Sequence, residues 1–450
     1  MKADTADAII IGSGQGGVPL AVDLANEGKR VVLFERGRLG GSCVNYGCTP
    51  SKAFLAAAHG AGRARLTAKL GVHAVVTVDF GAVMDRVRSI RDKFTASVDK
   101  RLRDAGVEIV KAQASFSGPR TVTGGNVSIS APVVVINTGT TATVPAIPGL
   151  AGTPYLTNAS FFDLTKRPEQ LLVLGGGYIG LELGQGMSRC GSHVDIIDSN
   201  PRVLSREESD ASAELQKGLT QDGISVHLGR RTVGVAHDGR TFSLTLDNGE
   251  TLQGDALLVA VGRTPNTAAL NCAVGGIAVD DRSYIAIGET FHTSAEGVFA
   301  IGDIAGQPAF THVSWEDYRR LKAILRGEPR TRADRVLAYT TFTEPQVARA
   351  GITLDEAKKH GLRARAVTLP MSSIARAVEW GHDLGFYRLV VDDDTEKMLG
   401  ATFVGYEAGE LIHVIVAHME AGSSWRLLDR SVHIHPTYGE ALPSLARLLN

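Results

Sequence analysis

One arrangement of residues occurs twice in this sequence, and it constrains the fold more than any other feature. A short apolar run is followed by Gly-x-Gly-x-x-Gly, a helix-compatible stretch, a second apolar run and an acidic residue. The first copy runs from Ala8 to Glu35 and the second from Leu171 to Asp198, and in both the acid lies 23 positions after the first glycine. Ordinary strand–helix turns would not repeat this spacing. The sequence therefore predicts two βαβ units of the dinucleotide-binding type and an α/β fold.

Each glycine of the pattern has a physical purpose. The first permits a tight turn after the strand, the second lets a pyrophosphate approach the backbone, and the third lets the helix pack closely on the strand. The helix N-terminus then faces the phosphates, and the acid can accept hydrogen bonds from ribose hydroxyls. The residues concerned are Gly12, Gly14, Gly17 and Glu35 in the first copy and Gly175, Gly177, Gly180 and Asp198 in the second.

Two cysteines follow the first unit. Cys43 and Cys48 lie in a glycine-rich stretch directly before residues that are compatible with a helix. Their separation of five positions is a little more than one helical turn, so both sulfurs can meet on one face if that turn is distorted. A thiol at a helix start feels the positive end of the helix dipole, which lowers its pKa and raises its reactivity. Taken alone, such a pair would still be more typical of buried structural cysteines.

Composition limits the classes of protein to consider. The chain has 450 residues, a formal net charge of -1 and four cysteines, of which Cys190 and Cys272 are expected to be buried bystanders. This length predicts more than one domain, and the near-neutral charge indicates neither nucleic acid nor a membrane as partner. Four cysteines are too few for a disulfide-stapled secreted protein. Because the sequence also lacks a signal-peptide pattern and a membrane-spanning apolar run, we expect a cytoplasmic protein.

The remaining pattern gives a coarse order of elements. We expect helix over residues 53–105, strands over 107–112, 122–129 and 133–136, hairpins over 225–259, and a turn at 262–266. The character of the chain changes near residue 331, where strands at 339–342 and 388–392 bracket a helix that begins with a capping box, Thr353-x-x-Glu356. An amphipathic helix is expected over residues 410–420.

Two further motifs carry polar side chains suited to chemistry. A short strand ends in Gly302-Asp303, where the carboxylate can accept hydrogen bonds from ribityl or ribose hydroxyls. Near the C-terminus, His435 precedes Glu440 in His-x-His-Pro-Thr-x-x-Glu. An imidazole titrates near neutral pH, and a carboxylate can orient it for acid–base catalysis. Four other histidines are expected to be structural, namely His312, His413, His418 and His433.

In combination these motifs resemble one family. Gly-Gly-Ser-Cys-x4-Cys-x-Pro-Ser-Lys, the two glycine fingerprints, Gly-Arg-Thr-Pro-Asn, Ile-Gly-Asp and the His-Pro-Thr motif occur together along the chain. Over essentially its whole length the sequence is similar to the pyridine nucleotide–disulfide oxidoreductases, the group of dihydrolipoamide dehydrogenase, glutathione reductase and mercuric reductase. The resemblance implies an α/β fold with two Rossmann-like dinucleotide-binding domains plus a C-terminal α+β dimerisation domain.

The resemblance also implies a role for each matching position. Cys43 would attack the substrate, and Cys48 would face the flavin as a thiolate. Lys52 and Glu182 would pair near the flavin, and His435, held by Glu440, would be the acid–base group of the partner subunit. FAD would be bound by the first glycine unit and Asp303, and NADH, with NADPH as a second possibility, by the second unit. The other implied cofactor-binding positions are Gly41, Ser42, Lys52, Thr138, Gly139, Gly262, Arg263 and Gly302. No metal site is implied.

The implied domain order alternates between the two cofactors. Residues 1–145 and 269–330 would form the FAD-binding domain, 146–268 the NAD(P)-binding domain and 331–450 the dimerisation domain. The enzyme would be an obligate homodimer that passes hydride from NAD(P)H through FAD to the Cys43–Cys48 pair. A small disulfide or a thiol-reactive oxidant would then be reduced, and a lipoyl-carrying protein is among the possible partners.

The substrate stays open between branches of the family. Dihydrolipoamide dehydrogenases share the cysteine pair, the His435–Glu440 dyad and the acid at Asp198. Mercuric reductases carry a C-terminal cysteine pair, whereas here no cysteine follows Cys272, and glutathione reductases place an arginine where this chain has Val22. The run Gly-Gln-Gly-Gly-Val-Pro-Leu and residues 441–445 are more similar to a mercuric reductase-like branch without that C-terminal pair.

Three alternative functions are considered. The mercuric reductase-like branch suggests reduction of Hg(II), Cu(II) or hypothiocyanous acid. A catalytically silent flavoprotein used as a binding module is the alternative from a different class, and the intact cysteine pair and dyad argue against it. Nicotinamide transhydrogenation without a thiol substrate is disfavoured for the same reason, because those flavoproteins lack the reactive cysteines.

Overall fold

The computed structural model describes residues 4–450, and its first part is built around a buried parallel sheet. The sheet has the strand order β18-β8-β2-β3-β4, and β2 and β8 run parallel in register from Ala8↔Val133 to Ile11↔Ile136. The strands β2 and β3 are buried on both faces, as their uninterrupted apolar sequences require. Elements up to residue 142 are β1 Asp4–Thr5, β2 Ala8–Ile11, α1 Gly17–Asn26, β3 Val31–Phe34, α2 Gly41–Tyr46, α3 Cys48–Leu66, α4 Phe80–Asp104, β4 Glu108–Val110, β5 Ser115–Gly118, β6 Thr121–Gly124, β7 Val127–Ser130, β8 Val133–Ile136 and β9 Thr140–Ala142.

The second glycine unit forms a separate parallel sheet of order β12-β11-β10-β16. An antiparallel ribbon, β13-β14-β15, is attached to it. The elements are β10 Gln170–Leu174, α5 Tyr178–Arg189, β11 His193–Asp198, α6 Ser209–Gln221, β12 Ser225–Leu228, β13 Thr232–His237, β14 Phe242–Leu246, β15 Thr251–Gly254 and β16 Ala256–Val259. The expectation of hairpins over 225–259 is thus right for β13–β15 and wrong for β12 and β16, which join the parallel sheet.

The chain then returns to the first sheet. A short strand, β17 Arg263–Pro265, pairs with β9, and β18 Val298–Ala300 completes the first sheet beside β8. The helix α7, Thr311–Leu325, follows. The turn expected at 262–266 is therefore mostly strand, because its backbone pairs with a segment that lies more than a hundred residues earlier.

The last part is an antiparallel sheet covered by helices. Its strand order is β19-β20-β23-β22-β21, and its core includes Tyr387, Phe403 and Trp425. The capping box at Thr353 and Glu356 is present at the start of α8. The elements are β19 Ala338–Thr341, β20 Gln346–Gly351, α8 Leu354–Lys359, β21 Ala364–Pro370, α9 Ala375–Glu379, β22 Phe386–Asp392, β23 Met398–Gly405, α10 Ala408–Glu420, α11 Trp425–Asp429 and α12 Ala441–Arg447.

Two expectations in the first part need correction. The helix expected over 53–105 is two helices, α3 and α4, separated by a short 3-10 turn and an exposed segment, 71–79, without regular structure. The strand expected over 122–129 is a hairpin, β6 and β7, that turns at Gly125 with φ +58°. A glycine accepts this left-handed conformation without steric cost, so it can reverse a chain whose flanking residues favour a strand.

The fold as a whole confirms the α/β class with two dinucleotide-binding units and a C-terminal α+β part. No helix in residues 4–450 has the length and apolar character needed to cross a bilayer. In the first sheet the parallel strands β2, β8 and β18 end side by side, directly before Gly12, Asn137 and Ile301. The carboxyl edge of such a sheet is where α/β proteins bind their ligands, and it directs attention to the cleft beside it.

Candidate active site

The two cysteines of the Cys-x4-Cys pair lie on consecutive helices. Cys43 is inside α2 and Cys48 is the first residue of α3, and Gly47 separates the helices with φ -136° and ψ -119°. The expected distortion of the helical turn is thus a break at one glycine. An added Cβ at Gly47 would stand 3.0 Å from the carbonyl oxygen of Ser42, so a side chain there would push the helices apart.

The two thiols have pKa values displaced in opposite directions. A hydrogen bond from Cys43 lowers the pKa of Cys48 to about 6, aided by Thr311 and by the positive charge of Lys52. The same hydrogen bond, together with burial, raises the pKa of Cys43. Thr311, at the start of α7, places its hydroxyl 3.0 Å from the Cys48 sulfur. Near neutral pH the pair therefore consists of a thiolate at Cys48 and a protonated thiol at Cys43.

An ion pair lies beside the thiols. Lys52 Nζ donates to Glu182 Oε2 at 2.7 Å, and the Glu182 side chain is 6% exposed. The backbone N–H of Phe342 donates to the other carboxylate oxygen at 2.9 Å, and Lys52 Nζ stands 4.4 Å from the centre of the Phe342 ring. Lys52 follows the cysteines, Glu182 belongs to α5 and Phe342 follows β19, so all three parts of the fold meet at this pair.

The thiols and the ion pair open into one cavity of about 500 Å³. Its lining includes Glu35 and Gly12 of the first glycine unit as well as Cys43, Cys48 and Asp303. A cleft of this size, lined by a glycine loop and by a few polar groups, is typical of a cofactor site.

The glycines of the first unit fit a dinucleotide phosphate. An added Cβ would stand 2.7 Å from Asn137 Oδ1 at Gly14 and 2.8 Å from the Gly14 Cα at Gly41. These close approaches leave a bare backbone cradle at the N-terminus of α1, which suits a pyrophosphate. Glu35 Oε2 accepts hydrogen bonds from the Ser13 N–H at 3.0 Å and the Ser13 hydroxyl at 2.6 Å, which fixes the carboxylate at the rim. The residues present therefore fit FAD.

Asn137 was not singled out from the sequence, yet it holds the cradle together. Its Oδ1 accepts from the Gly17 N–H at 2.9 Å, and its Nδ2 donates to the Ile301 carbonyl at 2.9 Å and the Ser314 hydroxyl at 3.3 Å. One side chain thus joins α1, β18 and α7. Its place directly after a buried strand at the carboxyl edge was the signal that could have found it.

Asp303 also lines the cavity. Thr140 Oγ1 donates to Asp303 Oδ2 at 2.9 Å, and Arg263 Nε lies 3.6 Å from the same oxygen. Thr138 and Gly139, also implied by the family resemblance, line the cavity beside them, whereas Gly262 and Gly302 do not appear in its wall. The Gly302 N–H instead donates to Asp317, which is fully buried, so this glycine fixes the turn that presents Asp303.

In the second glycine unit, as in the first, a backbone N–H of the glycine loop donates to the acid that follows the second strand. The Gly176 N–H donates to Asp198 Oδ2 at 2.6 Å, and the Asn200 N–H donates to Oδ1 at 2.7 Å. Gly175 turns with φ +111°, and a Cβ at Gly180 would collide with the Gly175 carbonyl. Gly177 has open space around it. Tyr178 and Ile179, the first residues of α5, reach the wall of the cavity that contains the thiols, so the two nucleotide units converge there.

The C-terminal dyad lies apart from this cavity. His435 Nδ1 and Glu440 Oε2 are 2.7 Å apart, with side-chain exposures of 73% and 19%. Neither residue lines the cavity. Val432 and Ile434 of the same segment are 100% and 79% exposed. An apolar segment this exposed around a polar dyad is characteristic of a surface that another chain covers.

The sequence reasoning also missed residues that the fold brings to the thiols. Thr311 touches Cys48, and Phe342 touches both members of the Lys52–Glu182 pair. Neither lies in a recognisable motif, and no local pattern could have placed them. Among residues 4–450 no group of three or more His, Cys, Asp and Glu side chains is arranged to hold a metal ion.

Comparison with known proteins agrees with this geometry. The pyridine nucleotide-disulphide oxidoreductase family matches residues 6–317, and its dimerisation domain matches residues 337–446. The chain is 31% identical over 453 residues to the probable pyridine nucleotide-disulfide oxidoreductase RclA of Escherichia coli, covering 98% of this chain and 99% of that protein. It is 33% identical over 458 residues to a dihydrolipoyl dehydrogenase of Thermus scotoductus, covering 99% of this chain and 98% of that protein.

A solved structure is equally similar. The Cu(II) complex of the HOCl-induced flavoprotein disulfide reductase RclA from Escherichia coli superimposes with a TM-score of 0.91 at 31% identity, covering 99% of this chain and all of that chain. The family resemblance predicted from the motifs is confirmed, and with it FAD and NAD(P)H as the cofactors and an oxidoreductase activity. This chain belongs to the pyridine nucleotide–disulfide oxidoreductase family.

Proposed function

We propose that this enzyme uses Cys43 to attack its substrate, Cys48 as the thiolate beside the flavin, and His435 of the partner subunit as the acid–base group. The observation that carries the proposal is the opposite displacement of the two pKa values within one cavity. Only a thiolate attacks a disulfide, so Cys43, which stays protonated beside the Cys48 thiolate, needs a base before it can open an external disulfide. Cys190 and Cys272 have no such neighbour, and burial raises their pKa values.

The residues proposed to hold the cofactors are those that the family resemblance implies, and the lining of the cavity supports most of the FAD positions. Gly12, Gly14, Gly17, Gly41 and Glu35 would bind the adenosine diphosphate part of FAD, and Asp303 would bind its ribityl side. Ser42, Lys52, Thr138, Gly139 and Arg263 also line the cavity and are proposed for this cofactor. Gly262 and Gly302 are proposed to shape the backbone beside the cavity, because they lie outside its wall. When bound, FAD supplies the exchange between a two-electron hydride and thiol chemistry.

The protein's own groups manage the protons. Lys52 places a positive charge beside the Cys48 thiolate and stabilises it, while Glu182 and Phe342 fix the lysine in place. Cys43 must lose a proton to attack, and the thiol that leaves the substrate must gain one. An imidazole can do both near neutral pH, and Glu440 would orient it.

The proposal of a shared site rests on the position of the dyad. His435 is exposed and lies outside the cavity of its own chain, while the segment around it presents bare apolar side chains. A twofold dimer would cover that segment and carry each His435 to the cysteines of the other subunit. The match to the dimerisation domain supports a homodimer.

The proposal also includes the domain boundaries and the cellular compartment of the enzyme. The FAD-binding domain would comprise 1–145 and 269–330, the NAD(P)-binding domain 146–268 and the dimerisation domain 331–450. The enzyme would act in the cytoplasm, where reducing conditions make an oxidised cysteine pair catalytic rather than structural.

For the substrate we propose a small disulfide or a thiol-reactive oxidant. The second candidate is a metal ion such as Cu(II) or Hg(II), which the name of the Cu(II)-bound RclA structure favours. Cys43 and Cys48 would then be the only nearby sulfurs, because no further cysteine lines the cavity. A lipoyl-carrying protein is a possible partner only if lipoamide is a substrate.

A substrate panel separates these candidates. The purified holoenzyme would be given NADH and one of lipoamide, glutathione disulfide, hypothiocyanite, Cu(II) or Hg(II), and NADH oxidation would be followed by the loss of its near-ultraviolet absorbance. The Cys43→Ser variant is the control for each substrate. The proposal fails if no thiol-reactive compound is reduced, or if Cys43→Ser is as fast as the wild type with all of them.

Coenzyme choice gives a separate prediction. The Asp198 carboxylate would accept hydrogen bonds from the 2′- and 3′-hydroxyls of NADH, and a 2′-phosphate there would meet like charge. Arg202 donates to the carbonyls of Ser205 and Glu207, so it is held within its own loop. We expect kcat/KM to be about 10- to 100-fold higher with NADH than with NADPH, the range that one charged contact provides.

Variants of this residue test the explanation. Asp198→Ala should narrow the difference between the coenzymes, and adding Ser199→Arg should narrow it further or reverse it. The measurement is steady-state kcat/KM for both coenzymes with one common disulfide. A wild-type enzyme that prefers NADPH would contradict the assignment and would direct attention to Arg202 and the exposed Arg206.

A further inference from the structure

One tyrosine of the C-terminal sheet reaches two different parts of the second nucleotide unit. Tyr339 lies in β19, and its ring stacks on Phe310 with centres 4.9 Å apart and planes 8° from parallel. Phe310 also contacts Tyr178, at 5.6 Å between ring centres, and stacks on His312, at 5.5 Å. Tyr178 is the first residue of α5, the helix of the second glycine fingerprint. The ring of Tyr339 therefore supports the start of that helix through one intervening side chain.

The hydroxyl of the same tyrosine points to the other part. Tyr339 Oη donates to Glu207 Oε1 at 2.7 Å, and Glu207 is 8% exposed. Burial raises the pKa of Glu207, while the hydrogen bond from Tyr339 and the charge of Arg349 oppose that increase. Arg349 Nη1 is 3.7 Å from Glu207 Oε2. A buried carboxylate is costly without partners, so these contacts determine where the backbone around Glu207 can lie.

Glu207 belongs to the loop 199–208, which follows Asp198 and precedes α6. The loop rests directly on the glycine fingerprint, because the Leu204 N–H donates to the Gly176 carbonyl at 2.9 Å. Leu204 has φ +44°, an unfavourable conformation for a branched side chain that its surroundings must maintain. The Glu207 N–H in turn donates to the Leu204 carbonyl at 2.7 Å. The anchor at Glu207 thus continues through two hydrogen bonds to Gly176, the residue that also binds Asp198.

We propose that Tyr339 is a positioning residue for the nicotinamide nucleotide, because it holds the Phe310–Tyr178 stack and the Glu207 loop at once. In this way Tyr339 sets the distance between the start of α5 and the loop 199–208, and the nucleotide would bind between these two parts. This inference rests on the proposed binding of NAD(H) at Gly175–Asp198. Loss of the Tyr339 hydroxyl would not detach the loop 199–208, because Arg388 also binds Glu208 at 2.9 Å.

An ordinary packing contact between domains would behave differently. Loss of such a contact lowers the stability of the protein but leaves the affinity for the nucleotide unchanged. Loss of a positioning contact weakens nucleotide binding and leaves the thiol chemistry unchanged. A measurement of nucleotide affinity that does not depend on turnover therefore distinguishes a packing contact from a positioning contact.

The test removes single hydroxyl groups. Tyr339→Phe keeps the stacked ring and deletes only the hydrogen bond to Glu207. The matched control is Tyr387→Phe in the same sheet, because the buried Tyr387 hydroxyl has no hydrogen-bond partner within the described part of the chain. Binding of NAD⁺ and of NADP⁺ to each purified holoenzyme would be measured by titration calorimetry, and thermal unfolding would be recorded for both variants.

We expect Tyr339→Phe to raise the Kd for the preferred nucleotide about tenfold, the order of effect that one hydrogen bond to a buried charged group can produce. Tyr387→Phe should bind as the wild type does. The rate at which dithionite-reduced enzyme reduces a disulfide should be equal in all three proteins. Glu207→Gln should also weaken binding, and it serves as the second variant if Tyr339→Phe does not fold.

Three outcomes are decisive. Equal Kd values for the wild type, Tyr339→Phe and Glu207→Gln would overturn the inference, even if the unfolding temperature falls. An equal loss of binding in Tyr387→Phe would also overturn it, because the effect would then be general to the sheet. A wild-type enzyme that binds neither NAD⁺ nor NADP⁺ would instead contradict the proposed nucleotide site itself.

Discussion

Replacement of His435 by alanine is expected to slow disulfide turnover by about two to four orders of magnitude, the usual range for the loss of one acid–base group. The reason is that Cys43 has a raised pKa and needs a base, and the leaving thiol needs an acid. Reduction of the flavin by NADH should continue at nearly the wild-type rate, because that step does not need this imidazole. Rapid-mixing absorbance measurements separate the two half-reactions.

Two variants of the same segment provide controls. His433→Ala, two positions earlier, should leave turnover unchanged, because the imidazole that pairs with Glu440 is that of His435. Glu440→Gln keeps the shape of the partner at 2.7 Å and removes its charge, so a smaller loss, about 10- to 100-fold, is expected. Equal losses in His433→Ala and His435→Ala would show that the segment is required only for folding or dimer formation.

The second large effect concerns the cysteines. Cys43→Ser and Cys48→Ser should each lower disulfide turnover by about a thousandfold or more, because neither half of a dithiol exchange can proceed alone. Their spectra should differ. Cys43→Ser should show a long-wavelength absorption band without added reductant, because Cys48, which we propose to face the flavin, would remain a thiolate, and Cys48→Ser should show none.

The pH dependence of that band follows from the pKa values. The hydrogen bond, Thr311 and Lys52 lower the pKa of Cys48 to about 6, so the thiolate is present above that pH and is lost as the pH falls through it. In Cys43→Ser a serine hydroxyl can donate in place of the thiol, so the band should fade below about pH 6. Cys272→Ala is the matched control and should behave as the wild type. If the two cysteine variants have the same spectrum, the assigned roles are wrong.

Much of the site could be predicted because it is encoded locally. The glycine fingerprints, the acids at Glu35 and Asp198 and the Cys-x4-Cys pair are each set by the backbone within a few tens of residues. Their geometry depends on which residues can turn tightly or approach a phosphate, and those residues are visible in sequence. The Lys52–Glu182 ion pair required the family resemblance, because the two residues are separated by 130 positions.

The contacts that sequence reasoning missed are long-range. Asn137 joins Gly17 to Ile301, Thr311 meets Cys48 from 263 positions away, and Phe342 fixes Glu182 from the last sheet. The break between α3 and α4 was missed because residues on both sides of the segment 71–79 are compatible with helix. Tertiary packing decides such positions, and local propensity is only a weak guide to them.

The most direct test of the shared thiol–imidazole site mixes two inactive subunits. Cys43→Ser and His435→Ala enzymes would be combined in equal amounts under conditions of verified subunit exchange, and disulfide turnover would be measured. Half of the dimers are then mixed, and one of their two sites has an intact Cys43–Cys48 pair with an intact His435 from the other subunit. We predict recovery to about one quarter of the wild-type rate. No recovery in a mixture that demonstrably contains mixed dimers would contradict the shared site.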